Sequence, residues 1–157
     1  MQALLKHRMQ PIRSVPARDH AELLHIWEKS EFELLGRAAL APLYSGSHEI
    51  RRLLLEVSGV YAYPGPRGAP VAFVAVAEDR IALLDVLPDY RHQGIGSELL
   101  HFAVQQIGAR LVELPEAWAE AQAFYRHHGF SRVGPTMVGS FRGQHQTLVR
   151  LACSAQG

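Results

Sequence analysis

The chain has 157 residues, of which 48% are apolar and 20% charged, and a formal net charge of +1. This length suits one domain with a buried core, and the charge balance gives no reason to expect nucleic acid or an anionic membrane as a partner. No apolar run approaches the about 20 residues that cross a bilayer. The single cysteine, Cys153, cannot form an intramolecular disulfide, so we expect a cytoplasmic protein.

The sequence pattern in the N-terminal third of the chain predicts one strand followed by helices. Residues 1–9 have no apolar core, so we expect a flexible leader before a single domain over residues 10–153. A short strand is predicted at Gln10–Val15, followed by Asp19 as the N-cap of a helix to about Lys29, with Glu22 as its capping-box partner. Glu31–Tyr44 fits either a short helix or a loop, and Ser47–Leu55 has the periodicity of a helix.

The middle of the chain changes to strand patterns. Three apolar runs, Gly59–Tyr63, Val71–Ala77 and Ile81–Leu87, are separated by turns rich in proline, glycine and charge. Such spacings predict an antiparallel meander.

The C-terminal half alternates helices and strands. The predicted elements are a helix over Gly96–Ile107 with Gly108 after its end, a strand at Arg110–Leu114, a helix from Pro115 to Gly129, and closing strands at Phe130–Val138 and Gln144–Cys153. This order predicts a mixed α/β (α+β) fold: a mostly antiparallel sheet of about seven strands with helices on both faces.

The segment DVLPDYRHQGIGSELL, Asp85–Leu100, is the strongest functional signal. Gly94 and Gly96 let a ligand approach the main chain closely, and a helix that starts there leaves amide N–H groups without intrahelical acceptors. Such groups bind phosphate or diphosphate at the positive end of the helix dipole. Arg91 can add a charge-assisted contact and Ser97 a hydroxyl.

Three other interpretations of a glycine-rich turn have to be compared with this one. A P-loop is excluded because Ser97-Glu98 follows the last glycine where Lys-Ser/Thr is needed. A dinucleotide-binding motif needs a third glycine, and Leu99 stands at that position in this segment. Glu113 nevertheless lies near the position of the ribose-binding acid of that motif. A glycine-rich connector without any ligand is the third.

Two motifs resemble the GCN5-related N-acetyltransferases (GNAT). RHQGIG, Arg91–Gly96, is similar to the family signature Arg/Gln-x-x-Gly-x-Gly/Ala, and the preceding IALLDVLP is similar to its fourth strand. AQAFYRHHGF, Ala121–Phe130, is similar to the second landmark, a helix with Phe-Tyr that ends in Gly-Phe. The resemblance covers about residues 10–153 and, more narrowly, points to small bacterial members of the YjaB or YiaC type.

The resemblance implies acetyl-CoA as cosubstrate and a primary amine of a small molecule, peptide or protein as acceptor. It implies a diphosphate on the amides of His92–Ser97, a pantetheine arm along the fourth strand, and a thioester oxygen near the Val86 amide. It also implies Tyr125 as the acid that protonates the leaving thiolate, and it makes a homodimer plausible. The cofactor-binding residues implied are Leu84, Asp85, Val86, Arg91, His92, Gln93, Gly94, Ile95, Gly96, Ser97 and Phe124.

Several points stay open at the level of sequence. A general base is needed because an alkyl amine is protonated at neutral pH; Glu113 is our candidate, with Asp85, His48 and Glu49 as alternatives. Trp118 stands where many members have a CoA-contacting asparagine, so a non-catalytic CoA-binding sensor on the same fold is the alternative function. The histidines lack a His-Glu-x-x-His pattern, so no metal site is expected.

Overall fold

The structure is a computed structural model that describes residues 12–35, 50–141 and 144–154. Its strands are β1 (Arg13–Ser14), β2 (Gly59–Pro64), β3 (Pro70–Ala77), β4 (Arg80–Val86), β5 (Leu111–Pro115), β6 (Phe130–Arg132), β7 (Met137–Phe141) and β8 (Gln144–Cys153). Its helices are α1 (His20–Leu35), α2 (residues 50–56), α3 (Ile95–Phe102) and α4 (Ala119–His127). Short 3₁₀ turns cover Ala17–Asp19 and Pro88–Tyr90, and a π-helical turn, Ala103–Ile107, extends α3.

The strands form one mixed sheet in the order β1-β2-β3-β4-β5-β8-β6, and β7 pairs with β8 beside β6. Every adjacent pair is antiparallel except β4 and β5, which run parallel. The connection between these two strands passes through α3, as a parallel pair requires. The predicted mixed, mostly antiparallel sheet is therefore confirmed.

Helices cover both faces of the sheet and divide the core in two. On one face α1 and α2 pack Leu23, Trp27 and Leu54 against Phe73 and Leu83. On the other face α3 and α4 cover a second cluster, which includes Val74, Val76, Leu99, Val112, Tyr125, Val149 and Leu151. Because β3 is buried on both faces, its sequence is apolar without alternation.

Several predicted element boundaries were wrong. The helix expected to end near Lys29 continues to Leu35. Pro115 ends β5 opposite Leu148 instead of starting a helix, and α4 begins at Ala119. The predicted strand Phe130–Val138 divides into β6 and β7, because Gly134 takes φ +71° and Pro135 follows it. The described sheet consequently has eight strands rather than about seven.

Some predictions fall on residues outside those described. They concern the leader at residues 1–9, the region at residues 36–49 and the candidate bases His48 and Glu49. In the part of the chain that is described, no helix is long and apolar enough to cross a membrane.

Candidate active site

The parallel strands β4 and β5 separate soon after they begin. They pair only at Arg80–Leu111 and Ile81–Val112; beyond that, β4 stays with β3 and β5 follows β8. The register of β3 with β4 shifts between Ala75 and Val76, which leaves Ala82 as an extra residue on β4. Such a bulge bends its strand, so a cleft opens between β4 and β5 towards their C-terminal ends.

The open edge of β4 exposes main-chain groups of two residues. Leu87 N–H donates to the Val71 carbonyl at 2.9 Å, which fixes the alternation along this antiparallel pair. Asp85 therefore directs its main-chain groups at β3, while Leu84 and Val86 direct theirs at the cleft. Arg91 Nε donates to the Val86 carbonyl at 3.2 Å, in agreement with that orientation.

The turn after β4 forms a cradle of main-chain donors over residues 92–97. His92 and Gly94 both take left-handed conformations, with φ of +62° and +85°. The Arg91 amide donates to the Pro88 carbonyl at 3.3 Å, and the next amide along the chain with a main-chain acceptor is that of Glu98, which donates to the Gly94 carbonyl at 3.0 Å. Within the described residues, the amides of the cradle have no protein acceptor. Unpaired donors at the start of a helix are a site for an anion.

The two glycines of the cradle serve different purposes. At Gly94, φ of +85° disfavours any L side chain, and an added Cβ would enter open space with nothing within 4 Å. At Gly96 an added Cβ would lie 3.7 Å from the Phe124 ring and 3.8 Å from Val86. A methyl group fits there at van der Waals contact, but a larger side chain would fill the gap between β4 and α4.

The cradle and the strand gap belong to one cleft of about 760 Å³, which is large enough for a cofactor. Most of the predicted site residues line it: Leu84, Asp85, Val86, Arg91, His92, Gly94, Gly96, Ser97, Glu113, Phe124 and Tyr125. Two do not. The side chain of Gln93 donates to the Asp89 carbonyl at 3.3 Å, and Ile95 is buried in the core, so only their amides are available to a ligand.

Tyr125 lies at the wall of the cleft, held by aromatic packing. It is 4% exposed, and its ring makes edge contacts with Phe124 at 5.2 Å and Phe130 at 5.3 Å between centroids. Phe124 in turn lies beside Gly96, as described above. This packing fixes the direction of the Tyr125 ring within α4.

The two candidate carboxylates have different surroundings. Glu113 Oε2 accepts from Arg150 Nε at 3.1 Å and from a terminal guanidinium nitrogen of Arg150 at 2.7 Å, and Arg80 lies 3.8 Å from Oε1. The Glu113 carboxylate is therefore engaged by Arg150 across the β5–β8 pair. Asp85 is 3% exposed and also lines the cleft.

The sequence analysis missed one polar contact at the cradle. Ser97 Oγ lies 3.0 Å from His128 Nε2, and His128 packs edge-on against Phe124 at 4.9 Å. Partial burial, followed by the neighbouring imidazoles of His127 and His101, lowers the pKa of His128. The His127-His128 pair before Gly129 was the available signal in the sequence. Among the described residues, no cluster could hold a metal ion.

Trp118, which stands in place of the family's asparagine, lines the cleft where α4 begins. The turn between β5 and α4 is fixed by Gln122, whose side-chain amide donates to the carbonyls of Pro115 at 3.2 Å and Glu116 at 2.9 Å. An apolar indole surface thus faces the cleft beside Phe124, where a polar amide was expected from the resemblance.

Comparison with known proteins agrees with this geometry. YjaB from Escherichia coli, in its apo form, is 24% identical over 90% of this chain and 95% of its own, with a TM-score of 0.67. A GCN5-related N-acetyltransferase from Rhodopseudomonas palustris is 21% identical over 91% and 94%, with a TM-score of 0.70. A phosphinothricin acetyltransferase from Sinorhizobium meliloti, solved in complex with acetyl-CoA, is 17% identical over 89% and 85%, with a TM-score of 0.62.

The sequence match to a family covers the centre of this site. Residues 56–132 match the family model of the acetyltransferase (GNAT) domain, and this range contains β2 to β6, the cradle and Tyr125. With the splayed strands and the donor cradle, this match identifies residues 56–132 as an acetyltransferase (GNAT) domain, and the structural similarities show that the chain has the GNAT fold.

Proposed function

We propose that the chain transfers the acetyl group of acetyl-CoA directly to a primary amine of a small molecule, peptide or protein. The observation that carries this proposal is the continuity of the cleft. The open edge of β4 at Leu84 and Val86 leads to the unpaired amides of residues 92–97. One wall of the cleft therefore offers hydrogen-bond donors and acceptors for an amide-containing arm, followed by donors for a diphosphate. Acetyl-CoA has these groups in that order, and its thioester supplies an activated acetyl group.

Binding rests mainly on the main chain. The pantetheine amides pair with the open edge of β4 as an additional strand would, and the diphosphate accepts from the cradle. Arg91 adds positive charge where the edge of β4 meets the cradle, and its hydrogen bond to the Val86 carbonyl holds the cradle against β4. Phe124 and Trp118 supply apolar surface on the opposite wall.

The chemistry needs a donor, an acid and a base. The Val86 amide stabilises negative charge on the thioester oxygen during attack by the amine. As the carbon–sulfur bond breaks, Tyr125 gives its phenolic proton to the leaving thiolate. For the base we favour Asp85 over Glu113, because Asp85 lies on β4 next to Val86, whose amide receives the thioester oxygen, whereas Glu113 lies on β5 in an ion pair with Arg150. The base must take a proton from the ammonium form of the acceptor before attack.

Two measurements test the proposal. Isothermal titration should show binding of acetyl-CoA at micromolar affinity or better, as is usual for a cosubstrate. Release of free thiol in the presence of a panel of amines and peptides should show turnover with at least one acceptor class. Absence of acetyl-CoA binding to the intact chain would refute the proposal.

A non-catalytic CoA-binding sensor is the second candidate function. The observations in its favour are the ion pair that occupies Glu113 and the indole of Trp118 at an expected asparagine position. Acetyl-CoA binding without thiol release across the acceptor panel would support this alternative. We place either activity in the cytoplasm, as a monomer or a homodimer.

A further inference from the structure

The hydrogen bond between Ser97 and His128 links the cradle to the C-terminal end of α4. Ser97 is the third residue of α3 and contributes one of the unpaired amides; its Oγ lies 3.0 Å from His128 Nε2. His128 directly follows the last residue of α4. The two residues are 31 positions apart in sequence, so this contact exists only in the folded protein.

The Ser97 hydroxyl has one proton to give. A serine hydroxyl is a single donor and a double acceptor, and a neutral imidazole has one donor and one acceptor nitrogen. Without a ligand, the hydroxyl can donate to Nε2. When the hydroxyl instead donates its hydrogen bond to a phosphate oxygen, Oγ can only accept a hydrogen bond from His128, and Nε2 must then carry a proton. If the hydroxyl donates to Nε2 in the free protein, anion binding requires Nε2 to gain a proton, either by a change of tautomer or by protonation of the ring.

The residues around His128 determine whether its imidazole ring is neutral or charged. From its own element it faces Phe124 and His127, and from α3 it faces Ser97 and His101. Within the described residues no carboxylate forms an ion pair with it, and Glu98, next to Ser97, is hydrogen-bonded to Tyr63. These neighbours hold the imidazole neutral in the free protein, and a bound anion is the group that would reverse this preference.

We infer that His128 is a proton-linked positioning residue for the cofactor. When a diphosphate enters the cradle, the His128 ring takes up a proton from solvent and its Nε2–H donates a hydrogen bond to Ser97 Oγ. The Ser97 hydroxyl, which keeps its proton, donates a hydrogen bond to a phosphate oxygen. One proton is gained by the complex and no covalent bond changes. This inference rests on the proposed function, because it requires a diphosphate in the cradle.

Calorimetry in buffers of different ionisation enthalpy measures the proton uptake. We titrate CoA into the full chain at pH 7, in buffers without phosphate, and compare wild type with His128→Gln, whose amide can donate to Ser97 but cannot titrate. Wild type should take up close to one proton more than the variant, and its affinity should rise by up to tenfold more per pH unit between pH 8 and pH 6. The ligand's own phosphate titrates equally in both experiments and cancels.

Matched controls separate this role from general charge. His127→Gln and His101→Gln each remove a neighbouring imidazole without removing the bond to Ser97, and both should keep the uptake. Ser97→Ala should lose it. Uptake that survives in His128→Gln, or that disappears in His127→Gln, would overturn the assignment to His128.

Nitrogen chemical shifts give a second readout that needs no variant to fold. On addition of CoA to ¹⁵N-labelled wild type at pH 7, the ring nitrogens of His128 should move from a neutral to an imidazolium pattern. If CoA binds and His128 stays neutral, the inference is wrong while the proposed function stands. If CoA does not bind, both are wrong.

Discussion

Replacing each cradle glycine by alanine tests the geometry of the turn. Gly94→Ala places a Cβ on a residue at φ +85°, which costs about 1–2 kcal/mol of folding free energy. For a chain of this size, that lowers Tm by about 2–8 °C. The new methyl group also enters the open space of the cradle, so acetyl-CoA affinity should fall at least tenfold, or by about 1.4 kcal/mol.

Gly96→Ala is the matched variant and should behave in the opposite way. The new Cβ meets Phe124 and Val86 at ordinary contact distances of 3.7 and 3.8 Å, and alanine is favoured over glycine in a helix by up to about 1 kcal/mol. Stability should stay the same or rise, by up to about 4 °C in Tm. Acetyl-CoA should still bind, because one methyl group does not fill the gap.

A third variant isolates backbone strain from ligand contact. Gly68 has φ +91° in the turn between β2 and β3, also with nothing within 4 Å of an added Cβ. Gly68→Ala should lose about as much stability as Gly94→Ala while keeping wild-type affinity. Thermal melts by circular dichroism and calorimetric titration measure both quantities. Equal loss of affinity in the Gly94 and Gly96 variants, or in none of the three, would refute this account of the cradle.

The remaining predictions concern the chemistry and the charges of the site. Tyr125→Phe should lower the rate of thiol release by 10- to 1000-fold with little change in acetyl-CoA affinity; an unchanged rate would assign the tyrosine to packing. Asp85→Asn should lower the same rate more than Glu113→Gln does, and the reverse order would restore Glu113 as the base. Arg91→Glu should weaken acetyl-CoA binding more at low salt than at high salt, whereas a loss independent of salt would indicate a purely structural role. The pKa of His128 in the folded protein lies below its ordinary value of 6.5, so the unfolded chain binds more protons than the folded one as pH falls. The contribution of His128 to the stability of the free protein is therefore present above about pH 6.5 and lost as pH falls below it. Urea melts should show that His128→Gln flattens this dependence.

The features that the sequence predicts well are those with a local physical cause. Gly94 and Gly108 take left-handed conformations that few other residues adopt, so the turn into α3 and the end of its π-helical extension are visible in the residues themselves. The apolar run of β3 requires burial on both faces, which places it inside the sheet. The donor cradle follows from the same logic, because a helix that begins directly after Gly94 leaves its first amides unpaired.

The features that it misses depend on contacts between distant residues. The Arg150–Glu113 ion pair joins residues 37 positions apart, and only the register of β5 with β8 brings them face to face. The Ser97–His128 bond likewise needs α3 and α4 to be docked. Pro115 is an example of a local signal overruled by pairing, since its place opposite Leu148 in the sheet prevents the predicted helix start.

The structure of the complex with acetyl-CoA tests the central claim most directly. The account predicts diphosphate oxygens within about 2.7–3.2 Å of amide nitrogens in the segment from His92 to Ser97, with pantetheine along the edge of β4 at Leu84 and Val86. A cofactor bound elsewhere, or a cradle whose amides remain without an anion in the loaded protein, would contradict it.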